Sequence, residues 1–243
     1  MVYRVQPGQV SYGEAIGILA MENYVPYVPG DVANATTYRY PVRYRRVPGL
    51  TPERIFAHDQ GLLESVREAC FELQAEGVRA ITGDCGFMLL FQEELAGALR
   101  VPVFLSSLLQ LPFMEQLLGP GEKIGVVTAN SASLDAEFIG ASGISSAERT
   151  AVEGLEQAPH FVQAVFREEG ELDTETLERE VTEAVGRLIE REPKVTLLLL
   201  ECSLLPPYGA AVREATGLPV FDYVTMIDYV YSTVVKRRFS GFM

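Results

Sequence analysis

Val78 to Phe104 reads VRAITGDCGFMLLFQEELAGALRVPVF, and Val195 to Phe221 reads VTLLLLECSLLPPYGAAVREATGLPVF. The two stretches lie over each other at a constant offset of 117 residues without a gap. Val78 meets Val195, Cys85 meets Cys202, Ala98 meets Ala215, and Pro102-Val103-Phe104 meets Pro219-Val220-Phe221. Asp84 meets Glu201 and Phe91 meets Tyr208, so chemical character repeats along with identity. An internal repeat on this scale implies two similar halves. Each half offers an apolar run, a cysteine at its end, and then a helix-like segment. Related by a pseudo-two-fold axis, the two thiols would approach one cleft from opposite sides.

Working outward, short β-rich runs alternate with helix-period segments. The strands are read as Ala15 to Ala20, Val78 to Gly83, Val101 to Leu105, Lys123 to Thr128, Val195 to Leu200 and Leu218 to Phe221. Several are apolar throughout, as strands covered on both faces should be. Leu62, Leu63, Val66, Ala69, Cys70 and Leu73 trace one helical stripe, with Thr51-Pro52 as cap and first helical residue for that region. Leu177, Val181, Ala184, Val185 and Leu188 trace another, capped by Asp173 or Thr174. Such alternation predicts an α/β fold of two pseudo-symmetric lobes, each a mostly parallel sheet flanked by helices. Ile16-Gly17-Ile18-Leu19 and Ile124-Gly125-Val126-Val127 open the halves, and Leu118-Gly119-Pro120-Gly121 separates them. Residues 1–106 and 222–243 are assigned to the first lobe and 107–221 to the second. Ligands of such sheets bind beyond the carboxyl ends of the strands, where Cys85 and Cys202 fall, so the active site is expected in the inter-lobe cleft.

Composition narrows the function. The formal net charge of -13 speaks against nucleic acid and anionic membrane as partners. An anionic substrate would need a site that supplies its own positive field. No apolar stretch reaches the eighteen or so residues of a membrane span, and MVYRVQPGQV lacks a signal-peptide pattern. Three cysteines without a C-x-x-C motif suit a reducing compartment, so a cytoplasmic location is expected. Tyr38 to Val47, YRYPVRYRRV, alternates as an extended edge segment and is locally cationic. It reads as a subunit-contact or solvated edge strand, with a substrate-attracting flap as the alternative.

The paired cysteines carry the chemistry. Inverting a carbon next to a carboxylate needs a base on one face and an acid on the other, and a thiol with a reference pKa of about 8.5 suits both roles. Helix-start amides after each cysteine would lower that value and hold a carboxylate or an enediolate-like intermediate. The competing reading is that Cys85 and Cys202 are small buried hydrophobes, as Cys70 is on its helix stripe. Asp84 and Glu201 would oppose thiolate formation and are assigned no base role. No G-x-S-x-G elbow, phosphate loop or dinucleotide motif is present. His58 and His160 are read as surface or core residues, so no metal is expected. Lys123 and Lys194 precede strands and Lys236 lies in a C-terminal basic run, so no Schiff-base cofactor, and no cofactor of any kind, is expected.

At Thr82-Gly83-Asp84-Cys85-Gly86 and Glu201-Cys202-Ser203 the chain resembles the aspartate/glutamate/hydantoin racemase superfamily over nearly its whole length. The resemblance implies Cys85 and Cys202 as acid and base, cofactor-free chemistry, and a homodimer or higher homo-oligomer. Gly86, Phe87 and Ser203, which follow the cysteines, become candidate anion holders, together with Thr128 at a strand end and Asn34 in PGDVANATT. Glutamate racemases carry Asn-Thr after the first cysteine and Thr-His after the second. Gly86-Phe87 and Ser203-Leu204 stand there instead, and Phe87, Met88, Leu204 and Leu205 suggest a less polar pocket. The resulting expectation is an isomerase: a cofactor-independent racemase or epimerase acting on an amino acid or related carboxylate of aspartate, glutamate or hydantoin type. The alternatives are a maleate-type cis-trans isomerase, a malonate-type decarboxylase, or a ligand-binding protein without turnover.

Overall fold

The computed structural model describes residues 2–5 and 7–243. Two four-stranded parallel sheets repeat one topology. In chain order the strands are β1 (Ile16–Ala20), β2 (Val42–Arg46), β3 (Ala80–Gly83), β4 (Val103–Phe104), β5 (Lys123–Thr128), β6 (Thr150–Gly154), β7 (Val195–Leu200) and β8 (Val220–Phe221). The first sheet runs β2-β1-β3-β4 and the second β6-β5-β7-β8. Ile16 pairs with Ala80 in the first, and Ile124 with Leu197 in the second. β5 and β7 have the predicted bounds, because their runs KIGVVT and VTLLLL are apolar almost from end to end.

Each central strand opens with the same packing device. A Cβ on Gly17 would lie 2.9 Å from a methyl of Leu73, and one on Gly125 would lie 2.9 Å from a methyl of Leu188. Bare glycines there let the helices Leu63–Ala75 and Thr174–Arg191 settle close on their sheets. The stripes read from the sequence are the buried ones: Val66, Ala69, Cys70 and Leu73 on the first helix, and Leu177, Val181, Ala184, Val185 and Leu188 on the second. Each large apolar side chain so covered is worth about 1.5–3 kcal/mol. Asp173 caps the second helix through the Thr176 amide at 2.7 Å. Thr51 precedes a separate short helix, Pro52–Phe56, and makes no capping hydrogen bond through its side chain.

β2 is the extended segment expected at the sheet edge, but its arginines are already paired. Arg43 meets Glu76 at 2.8 Å and Glu14 at 3.2 Å, and Arg45 meets Glu72 at 3.2 Å. β6 went unread because TAVEG has no apolar run. After β8 the chain returns to the first sheet, where helix Tyr223–Val234 packs Tyr223, Met226 and Ile227 against Ile16, Ile18, Ala80 and Phe104. One core joins the sheets, since Leu19, Ile81, Leu105 and Leu108 cluster with Ile124, Val126 and Leu199. Among the described residues, no helix is long and apolar enough to cross a membrane.

Candidate active site

The two cysteine loops, which follow the carboxyl ends of β3 and β7, meet each other. The first runs from Gly83 through Asp84 and Cys85 into the tight helical turn Gly86–Phe91. The second runs from Leu200 through Glu201 and Cys202 toward the turn Pro206–Tyr208. The Ser203 hydroxyl ties the two loops by donating to the Asp84 carbonyl, and the Glu201 carbonyl accepts the Ser107 hydroxyl at 2.7 Å. From above, the Val32 amide donates to the Ser203 carbonyl at 3.3 Å. Gly30, with a φ of +102°, presses against the ring of Pro207, where a Cβ would come within 2.9 Å of a backbone carbon.

Cys85 and Cys202 are both half-buried, and each thiol is held well above its ordinary pKa. Burial is the largest cause for both, followed by the Glu201 carboxyl; Cys85 also feels Cys202, which places the sulfurs in one electrostatic neighbourhood. The amides of Phe87 and Leu204 oppose these effects without overcoming them. The expectation that helix-start amides lower the thiol pKa is therefore corrected: desolvation and buried carboxyls outweigh them. Cys70 packs in the first-lobe core, and burial pushes its thiol up to about 12.

Three carboxyl groups are buried around the thiols: Asp31, Asp84 and Glu201. Asp84 accepts the Met21 amide at 3.0 Å, yet burial raises it to about 7. Glu201 accepts the Thr128 hydroxyl at 2.8 Å through Oε2, and burial raises it also to about 7. Its Oε1 has no hydrogen-bond partner and lies against the Cα of Gly86, where a Cβ would come within 1.6 Å. Asp31 accepts the Ala33 amide at 2.7 Å and is raised by burial and then by Asp84. Among the described residues none of the three is in an ion pair. The cleft is therefore lined by buried carboxyls held toward their neutral form, with no cation to receive a purely anionic substrate.

The residues expected to hold an anion are brought around these loops, but their polar side chains are engaged internally. Thr128 is bonded to Glu201, and Ser203 to the Asp84 carbonyl. Asn34 lies farther off: it caps a short turn through the Thr36 amide at 2.9 Å and donates to the Tyr27 carbonyl at 2.8 Å. Gly86 abuts Glu201, and the Phe87 ring packs edge-on against Phe56 at 5.1 Å. Phe87, Met88 and Leu205 belong to the core, whereas Leu204 lines the site. His58 stacks on Phe138 at 4.6 Å and its Nε2 faces the Ser133 carbonyl at 3.0 Å. His160 accepts the Asp173 amide. No group of three or more His, Cys, Asp or Glu side chains is arranged as a metal site among the described residues.

Beside Cys202 lies a cavity of about 40 Å³, lined by Met21, Tyr27, Phe56, Val165 and Phe166 together with Asp84. Tyr27, Phe56 and Phe166 were not singled out from the sequence. They come from three separate segments, and nothing in local spacing marks them as neighbours.

No family model matches the chain. A dimethylsulfoniopropionate lyase of Durusdinium sp. clade D is 33% identical over 227 residues, 88% of this chain and 73% of the relative. The chain belongs to the dimethylsulfoniopropionate lyase family. Dimethylsulfoniopropionate lyase 7 of Emiliania huxleyi is 32% identical over 242 residues, 93% of this chain and 69% of the relative. Dimethylsulfoniopropionate lyase 3 of the same organism is 32% identical over 237 residues, but the match spans 61% of its length. Among solved structures, allantoin racemase from Pseudomonas fluorescens superimposes with a TM-score of 0.60 at 18% identity, over 91% of each chain. Unliganded arylmalonate decarboxylase gives 0.58 at 16% identity, over 91% of this chain and 92% of the other. Glutamate racemase from Bacillus anthracis gives 0.57 at 13% identity, over 90% and 82%.

The fold is thus that of the aspartate/glutamate/hydantoin racemase superfamily, as the cysteine motifs implied. The expected activity is corrected. The curated relatives are named as lyases, so the reading as an isomerase, an amino-acid or hydantoin racemase, gives way. Superfamily folds host several chemistries on one frame, and a shared fold does not carry the reaction with it.

Proposed function

We propose that this protein is a lyase that cleaves dimethylsulfoniopropionate into dimethyl sulfide and acrylate. The observation that carries this reading is the one-third identity to a dimethylsulfoniopropionate lyase across 88% of the chain. The site's chemistry supports it, since three buried carboxyls without cationic partners gain a counter-charge when the positive end of a sulfonium substrate arrives.

In the reaction, a base removes one proton from the carbon next to the carboxylate. The electron pair left behind forms the carbon-carbon double bond, and the C–S bond breaks with its pair going to sulfur. Dimethyl sulfide leaves neutral, acrylate keeps the carboxylate, and the proton stays on the base until solvent takes it. Nothing is reprotonated, so one base suffices where a racemase needs two.

Cys202 is the base in this scheme, because it lines the cavity while Cys85 does not. Its desolvated thiol gives up a proton reluctantly, but the thiolate once formed is correspondingly strong as a base. The sulfonium charge arriving beside it offsets the field of Glu201 and Asp84 and favours ionisation. Cys85, also raised, stays a neutral thiol outside the cavity lining and takes no part in removing the proton. No cationic side chain lines the cavity, so the backbone amides of Ser203 and Leu204, which follow Cys202 and line it, take the carboxylate.

Proton NMR of the purified protein with dimethylsulfoniopropionate tests this. Vinyl resonances of acrylate should grow as the S-methyl resonance of the substrate declines. An unchanged spectrum with folded protein would overturn the assignment.

A further inference from the structure

The lining of the cavity beside Cys202 mixes polar groups, Asp84, Asn23 and Ser203, with apolar ones, Tyr27, Phe56, Phe166, Met21 and Val165. The rings of Phe56 and Phe166 stand nearly perpendicular, at 82° with centroids 5.9 Å apart, and so form a corner. Tyr27 is fixed in place by its hydroxyl, which donates to the Asn23 carbonyl at 3.3 Å. Phe166 ends a π-helical turn, Val162–Phe166, a rare geometry that recurs at functional sites. We infer that Tyr27, Phe56 and Phe166 form an aromatic subsite for the dimethylsulfonium group, with Asp84 as the carboxyl lining the same cavity; this rests on the lyase reading.

The physical case is one of matching. A sulfonium carries its charge over methyl groups, cannot donate a conventional hydrogen bond, and is best held by aromatic faces in a water-poor site. A carboxylate in direct contact would hold it as well, but Asp84 already accepts the Met21 amide through both oxygens. The aromatic corner adds selectivity, because it distinguishes a sulfonium from a hydrated ammonium or a neutral alkyl group. It also sets the reacting geometry. With sulfur against the rings, the α-carbon, two bonds along the substrate, comes beside Cys202, which lines the same cavity. At about 40 Å³ the cavity holds little more than one water, so the rings must part to admit the substrate.

The test compares Phe56→Leu, Phe166→Leu and Tyr27→Leu in the full chain, reading KM for dimethylsulfoniopropionate and Ki for 4-methylpentanoate. The latter is a neutral-tailed isostere in which an isopropyl group replaces the dimethylsulfonium. The subsite requires KM to rise roughly tenfold per ring removed, with Ki for the isostere moving less than about threefold. Equal weakening of both ligands, or an unchanged KM, overturns it. If a leucine variant does not fold, mono-, di- and trifluorinated phenylalanine at position 166 keep the ring shape while draining its negative face. KM should then climb with each fluorine, and a flat series overturns the inference. Absence of dimethyl sulfide from the wild type is a different result, because it removes the lyase reading itself.

Discussion

The Ser203 hydroxyl donates to the backbone carbonyl of Asp84, so the loop that carries Cys202 is tied directly to the loop that carries Cys85. Both residues are buried, and the bond crosses from one lobe to the other. Relative placement of the two thiols is therefore set by a local contact and not only by the distant packing of the lobes.

Removing that contact should affect both folding and turnover. Ser203→Ala leaves the Asp84 carbonyl buried without its donor, at a cost of about 1–3 kcal/mol. A denaturant melt should show a loss in that range, and kcat should fall several-fold as the loops drift apart. A variant with unchanged kcat would show that the tie does not position the thiols.

Gly86 is expected to tolerate no side chain. A Cβ there would come within 1.6 Å of Glu201 Oε1, whose carboxylate is anchored at its other oxygen by Thr128. Gly86→Ala should destabilise the fold by about 1–3 kcal/mol through overpacking and displace the Cys85 turn. The check is a thermal melt with an activity assay, and wild-type values in both would contradict the geometry.

Stability and activity should respond to pH in opposite senses. Asp84 and Glu201 titrate at about 7 in the folded chain, well above the ordinary carboxyl range near 4 of the unfolded one. As pH rises, the unfolded chain loses these protons first, so the stability present below about pH 4 is lost progressively as pH rises through about 7. The melting temperature should fall between pH 5 and 8, and Asp84→Asn or Glu201→Gln should flatten that slope. The thiols are raised, so kcat/KM should climb over the same span. A melting temperature that rises with pH in the wild type would overturn the assignment of neutral buried carboxyls.

Much of this was legible in the chain because the repeat writes the same instructions twice. The runs ending at Cys85 and Cys202 are apolar enough to be strands buried on both faces, and the match of Ile16-Gly17-Ile18-Leu19 with Ile124-Gly125-Val126-Val127 marks the opening strand of each half. β6 was not legible, since Thr150–Gly154 is a sheet-edge strand with Glu153 facing Arg187 and Arg191. The proximity of Glu201 to Gly86 was equally hidden, because it arises only when the lobes close on each other. Tyr27, Phe56 and Phe166 converge from segments far apart in the chain. Substrate identity depends on these convergent groups, whereas the fold depends on periodic ones. Gly86-Phe87 and Ser203-Leu204 were the clearest hint in the sequence, because they replace polar residues that glutamate racemases place beside their cysteines.

The most direct measurement is headspace dimethyl sulfide released from dimethylsulfoniopropionate by the wild type, Cys202→Ser and Cys85→Ser, each checked for folding. The wild type should release dimethyl sulfide and acrylate in equal amounts. Cys202→Ser should lose on the order of a thousandfold in rate, and Cys85→Ser, which lies outside the cavity lining, should lose far less. A folded wild type that releases none, or a Cys202→Ser variant that keeps its rate, would contradict a lyase with Cys202 as its base.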